Sequence, residues 1–147
     1  MQTNKTFVTL AEEMQIVRAY LEVEKSRLGE RLAVQILLDD AVLPVSIPVL
    51  SIQPLVENAI KHGVAQRLEP GFVRIAATHE EDGLRITVEN SGAPHAPASL
   101  GAGVGLQNVR RRLEICYGGA SNLHIEFQPE TTIVELRIPH TTVPVRV

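Results

Sequence analysis

Paired alternations of apolar and polar residues in the second half of this chain restrict it to folds with an antiparallel sheet. Val73, Ile75 and Ala77 alternate, Glu81-Asp82-Gly83 supplies turn chemistry, and Leu84, Ile86 and Val88 then alternate with Arg85, Thr87 and Glu89. A two-residue period sets one row of side chains on one sheet face, and an Asp-Gly turn between two such runs makes a hairpin. Leu123, Ile125 and Phe127 pair in the same way with Val134, Leu136 and Ile138 across a turn near residues 128–131. Leu32, Val34, Ile36 and Leu38 add a strand with one well-buried face, closed by Asp39-Asp40.

Three segments carry a helical period instead. Thr9 followed by Glu12 reads as a capping box, and Leu10, Met14, Val17 and Leu21 mark one face of a helix reaching about Gly29. Ile52, Val56, Ala59 and Ile60 mark a second helix within residues 48–63, with Gly63 as its stop. Pro54 inside it removes a backbone donor, so a kink or a late helix start is expected. Leu106, Val109, Leu113 and Cys116 mark a third, entered from a glycine cluster and ended by Gly118-Gly119. Between the first hairpin and this helix, residues 91–103 have no period and read as a long loop of the kind that carries function. The tail after Pro139 is expected to fray. Strands in hairpins plus three amphipathic helices predict an α+β fold, a two-layer α/β sandwich whose mixed, largely antiparallel sheet packs against three helices. The boundary is placed near Gly29, with residues 1–29 a helix leading into a domain of residues 30–147.

Composition narrows the function. With 147 residues and 44% hydrophobic content the chain has enough apolar material for one core. A net charge of −3 gives no electrostatic footprint for nucleic acid or anionic membranes, and Arg110-Arg111-Arg112 is a local cluster. The one cysteine, Cys116, cannot form an internal disulfide and reads as a buried thiol, so a cytoplasmic setting fits. No run reaches the roughly 18 to 20 apolar residues that span a bilayer, although a longer parent anchored in the inner membrane is compatible with this segment.

Asn58, Lys61 and His62 stand at i, i+3 and i+4, so one helix face presents an amide, an ammonium and an imidazole. An amide oxygen suits Mg²⁺, which takes oxygen ligands and keeps phosphates and water for its other positions, and Lys61 suits phosphate charge. The same spacing is also met by a solvated Glu57–Lys61 pair with His62 merely ending the helix. Gly101, Gly103 and Gly105 alternate before a helix, which brings backbone donors and the positive end of a helix dipole to an anion, although a flexible helix entry leaves the same letters. The P-loop pattern is absent, the dinucleotide fingerprint fails at Leu106, and neither H-R-D nor D-F-G occurs. Histidines His79, His95, His124 and His140 share no zinc-like spacing.

The stretch Gln53-Pro54-Leu55-Val56-Glu57-Asn58-Ala59-Ile60-Lys61-His62-Gly63 resembles the N box of sensor histidine kinases in its LytS-type form. Gly101-Ala102-Gly103-Val104-Gly105-Leu106-Gln107-Asn108-Val109-Arg110-Arg111-Arg112-Leu113, with Tyr117-Gly118, is similar to the G2 box and its helix, and residues 8–28 resemble the segment preceding the ATP domain. The resemblance implies the Bergerat-type ATP-binding fold shared with gyrase, Hsp90 and MutL. It implies that Asn58 ligates Mg²⁺, that Lys61 and His62 lie near the phosphates of ATP, and that Gly101, Gly103, Val104, Gly105 and Leu106 border the triphosphate. Asn90 and Gly92 match the adenine-binding G1 box.

Two departures bear on activity. Most relatives carry aspartate where this chain has Asn90, a neutral acceptor, which implies reduced ATP affinity, and a second glycine where it has Pro94, which implies a stiffer base for the lid. Pro54 stands where ATP-hydrolysing relatives have a carboxylate. Glu57, next to Asn58, is the remaining candidate for a catalytic carboxylate beside Asn58 and Lys61, though neighbours on a helix point about 100° apart. No phosphoacceptor segment resembling Asn-Pro-His-Phe-Leu-Phe-Asn occurs in the chain. The expected function is therefore the ATP-binding catalytic domain of a two-component sensor histidine kinase. Its partners would be a dimerisation and phosphoacceptor domain of the same kinase and a response regulator, with no nucleic acid and no direct membrane contact. Two alternatives remain: a degenerate nucleotide-binding regulatory module acting through protein contacts, and a serine kinase of the anti-sigma-factor type.

Overall fold

The computed structural model of the chain describes residues 6–92 and 103–139. Strand β1 (Phe7–Thr9) runs directly into helix α1 (Leu10–Leu28). Thr9 starts that helix as a capping box: its hydroxyl accepts from Glu12 N at 3.0 Å while Glu12 Oε1 accepts from Thr9 N at 2.9 Å, so donors at a helix start without helical acceptors are satisfied. Leu10 N and Ala11 N donate to Val45 O and Leu43 O.

After α1 come β2 (Leu32–Leu38), β3 (Ser46–Pro48), α2 (Gln53–His62), β4 (Gly71–Glu80), β5 (Gly83–Ser91), α3 (Gly103–Tyr117), β6 (Asn122–Phe127) and β7 (Thr131–Pro139). Five strands form one sheet in the order β2-β4-β5-β7-β6, with β2 parallel to β4 and the other pairings antiparallel. Both expected hairpins are present. Ile75 lies opposite Val88 in one, and Leu123 opposite Leu136 and Ile125 opposite Val134 in the other. The parallel pair needs a crossover, and the connection that makes it contains α2.

One sheet face is apolar and covered. Val73, Ile75, Leu84, Ile86, Val88 and Leu136 are buried beneath Leu10, Met14, Val17 and Leu21 of α1, Leu55, Val56 and Ile60 of α2, and Leu106, Val109 and Leu113 of α3. The other face carries ion pairs: Arg74 to Glu89 at 2.6 Å, Arg85 and Arg137 to Glu135 at 2.7 and 2.8 Å, and Arg137 to Glu80 at 3.1 Å. A sheet apolar on one side and charged on the other accepts a single helical layer. The fold is the predicted α+β two-layer sandwich, and α1 belongs to its core.

The structure corrects several details. Of the two outcomes expected from Pro54, the late start is the one observed: the second helix begins at Gln53, inside residues 48–63, so Pro54 falls in the first turn, where a missing backbone donor costs nothing. Preceding it is β3, whose Ile47 pairs with Val8 of β1; neither short strand is predicted by period. The face of β2 is not well buried. Only Leu32 is enclosed and Val34 is 37% exposed, because β2 is a sheet edge and Arg18, Leu21, Glu22 and Lys25 of α1 leave an open groove over Ala33, Val34 and Ile36. Gly63 does follow the last residue of α2, but its φ of −118° is open to any residue. A close approach explains it instead: a Cβ there would lie 2.2 Å from Asn90 Nδ2 and 2.5 Å from Ala59 O. Most of the expected loop of residues 91–103 and the expected frayed tail lie outside the described residues.

Candidate functional site

Helix α2 is the platform of the site, and it starts without a side-chain cap of its own. The cap comes from α1. The wholly buried carboxylate of Glu13 accepts from Ile52 N at 3.0 Å and Gln53 N at 3.1 Å through Oε2, and from Leu50 N at 3.0 Å through Oε1. A carboxylate among orphan donors at a helix start is favoured by both the hydrogen bonds and the dipole. Leu50 has a φ of +60°, the one positive-φ residue besides glycines among the described residues. Its neighbour Val49 is held on both sides, its amide donating to Thr6 O and its carbonyl accepting from Arg112 Nη1 of α3 at 3.1 Å.

One turn beyond Pro54 on the same face stands Asn58. Its Oδ1 is buried and has no hydrogen-bond partner among the described residues. An unmade buried acceptor costs about 1–3 kcal/mol, and a neutral oxygen donor is the kind of group a hard divalent cation accepts, so Asn58 fits the metal role that the N-box resemblance implies. Lys61 and His62 are exposed at the end of the helix. Glu57 is paired differently from the solvated Glu57–Lys61 alternative: its Oε2 accepts from Gln53 Nε2 at 2.9 Å. It also lies on the side of α1, where burial first, then the charges of Glu24 and Glu57, push the Tyr20 phenol up to about 12.

At the far end of α2, Gly63 abuts Asn90, which is 5% exposed at the end of β5. Asn90 Nδ2 donates to Ser91 O at 2.7 Å and to Gly92 O at 3.4 Å. Gly92 has a φ of +97°, a region glycine occupies without strain. Its carbonyl also accepts from Thr132 Oγ1 at 3.1 Å and its amide donates to Glu130 O at 2.8 Å. The residues matching the G1 box are thus tied to α2 on one side and to β7 on the other.

At the near end, α3 meets α2. Gly103, Val104, Gly105 and Leu106 form the first turn of α3, and a Cβ on Gly105 would lie 3.9 Å from Pro54 Cβ. Leu106 is 7% exposed and belongs to the core. The chain therefore brings the start of α3 against the start of α2, with Asn58 one turn further along α2 and Asn90 beyond its end. Gly101, Pro94 and His95 lie outside the described residues, as does His140. Cys116 is buried as expected, and burial pushes its thiol up. His124 is exposed, and His79, also exposed, has Nε2 3.3 Å from Ala41 O.

Sequence reasoning missed Glu13. The signal was there: Glu13 is three residues after Leu10 and four before Val17, so a carboxylate stands within an apolar stripe. Arg112 stands both in the basic cluster and in the stretch similar to the G2 box and its helix, and neither pattern points to its hydrogen bond to Val49 O.

The family model described as histidine kinase-, DNA gyrase B-, and HSP90-like ATPase matches residues 49–142. The chain belongs to that family. The match begins at the turn held by Glu13 and takes in α2, the end of β5 and α3, the elements that assemble the site. Among curated relatives, the sensor histidine kinase BtsS of Escherichia coli K12 is 37% identical over 134 residues, covering 90% of this chain and 24% of that protein. The sensor protein LytS of Staphylococcus haemolyticus is 34% identical over 148 residues, covering 92% and 25%. The chain thus spans about a quarter of the length of these relatives. The solved structure of the Acinetobacter baumannii histidine kinase AdeS superposes with a TM-score of 0.70 over 97% of this chain and 70% of that one at 16% identity, a likeness of fold. Among the described residues no helix is long and apolar enough to cross a membrane.

Proposed function

We propose that this chain is the catalytic and ATP-binding domain of a sensor histidine kinase, residues 30–147 holding Mg-ATP and residues 1–29 leading into them. The domain would present the γ-phosphate to a histidine on a dimerisation domain outside this sequence, for onward transfer to a response regulator. The observation that carries the reading is the buried Oδ1 of Asn58, without a partner among the described residues, within the stretch that resembles the N box. Asn58 is assigned as a ligand of Mg²⁺, which when bound would neutralise phosphate charge. Phosphoryl transfer rests on positioning and charge neutralisation. Lys61 supplies a cation three residues from Asn58, His62 a second polar group, and the first turn of α3 its backbone amides and dipole. Asn90 and Gly92 are assigned to the adenine end, and Gly101, Gly103, Val104, Gly105 and Leu106 to the phosphate end. Glu57, held by Gln53, is the remaining candidate for a catalytic carboxylate. The domain works on the cytoplasmic side of a membrane-anchored parent in this reading.

A second reading, a regulatory module with weakened nucleotide binding, is favoured by Asn90 in place of the aspartate of relatives. Calorimetric titration with ATP separates the two. Binding that strengthens with Mg²⁺ and weakens about tenfold in Asn58→Ala, at a melting temperature that does not fall, supports the kinase reading. No binding at millimolar nucleotide rejects it. A separately made dimerisation domain, added with labelled ATP, should then gain acid-labile phosphohistidine, whereas this chain alone should not label itself.

A further inference from the structure

We propose that Glu13 is a positioning residue for the nucleotide site, fixing where α2 begins and hence where Asn58 stands. The inference rests on the Mg-ATP reading above. Among the described residues, the hydrogen bonds of Glu13 across to α2 are to backbone amides, so it acts through backbone.

Three observations carry it. Glu13 is wholly buried on α1, so its charge requires compensation there, and the compensation is the three amides of Leu50, Ile52 and Gln53. Those amides belong to the turn that starts α2, which has no side-chain cap of its own. The turn also contains Leu50 at a φ of +60°, a conformation a branched residue keeps only when its surroundings impose it. The hydrogen bond from Leu50 N to Glu13 Oε1 is one such constraint, and Arg112 on Val49 O is another, reaching from the helix whose first turn faces Pro54. Asn58 is six residues into a helix of ten, so a change in where the helix starts or in how its first turn winds is carried rigidly to its side chain.

A residue that only stabilised the fold would lower the melting temperature and leave the affinity of the folded fraction intact. The positioning role adds two readouts. Glu13→Gln, isosteric but without the charge, is expected to weaken ATP binding about tenfold with Mg²⁺ present and little without it, because the metal-dependent part runs through Asn58. In the same background Leu50→Gly, which takes a positive φ without strain, is expected to restore most of the metal-dependent affinity. Equal affinities for parent and Glu13→Gln, with the same ratio between Mg²⁺ and metal-free conditions, overturn the inference while leaving the kinase reading intact. A parent that itself fails to bind ATP overturns the reading on which it rests. If Glu13→Gln does not fold, hydrogen exchange on the parent decides: by reciprocal linkage, Mg-ATP should slow exchange at Leu50, Ile52 and Gln53. Unchanged exchange there, with protection gained along the rest of α2, refutes the role.

Discussion

Asn90 shows why a residue's neighbours matter more than the letter found in relatives. In the proposed ATP-binding reading an aspartate there would supply a charged acceptor for an adenine amino group, and the obvious substitution to strengthen the site is Asn90→Asp. In this chain, however, the amide nitrogen of Asn90 donates to two carbonyls, Ser91 O and Gly92 O, and packs on Gly63. A carboxylate has no proton to donate, and its lone pairs would face those carbonyls in a buried place. Asn90→Asp is therefore expected to lower stability by about 1–2 kcal/mol, read as a lower urea midpoint with an unchanged slope, and to bring no gain in ATP affinity. An unshifted midpoint would show that the side chain turns to other donors. The same close approach makes Gly63 intolerant of a side chain although its φ is ordinary.

At the scale of elements, the sheet's outer face converges on Glu135. Arg85 and Arg137 are register partners on β5 and β7, two like charges directly opposite each other, a destabilising arrangement. Glu135 bridges them. Burial alone would raise its carboxyl, but the hydrogen bonds and charges of the two arginines outweigh that and hold it below its ordinary value. A carboxyl whose pKa is lower in the folded state stabilises the fold above its unfolded value, and that contribution is lost as pH falls through the folded one. Glu135→Gln should thus cost about 1 kcal/mol at neutral pH, and the gap from the parent should narrow as denaturation is followed into acid. A constant gap would mean that packing, not charge, is lost. The strands of this face were legible in the sequence because their alternation is local: Arg85, Thr87 and Glu89 against Leu84, Ile86 and Val88. The exposure of Val34 was not, since it follows from β2 being an edge, and edge order is a property of the whole sheet. Strands β1 and β3, three residues each, are too short to show a period. Asn58 and the glycines in the first turn of α3 could be singled out by motif and spacing. That Asn58 Oδ1 lacks a partner among the described residues is a property of packing that no spacing shows, and that Glu13 supplies the cap of another helix depends on contacts between segments some 40 residues apart in sequence.

For the whole molecule the question is whether α1 is a lead-in or a part of the fold. Leu10, Met14, Val17, Leu21 and Leu28 of α1 are 0–8% exposed within the same cluster as the sheet. Fully burying one such side chain contributes about 1.5–3 kcal/mol, against a net stability of about 5–15 kcal/mol for a domain, part of the gain being offset by the entropy of ordering the helix. Removing residues 1–28 would also uncover apolar residues of the layer beneath and leave Ile52 N and Gln53 N without the carboxylate that caps α2. The truncated chain is therefore expected to lose cooperative thermal unfolding and near-ultraviolet dichroism, while a chain kept whole melts in one transition. A truncated chain that melts cooperatively and binds ATP as the whole one does would make α1 a linker in the strict sense. If instead the fold fails without it, any force or rotation delivered to α1 reaches the start of α2 through the fold's own core and through Glu13.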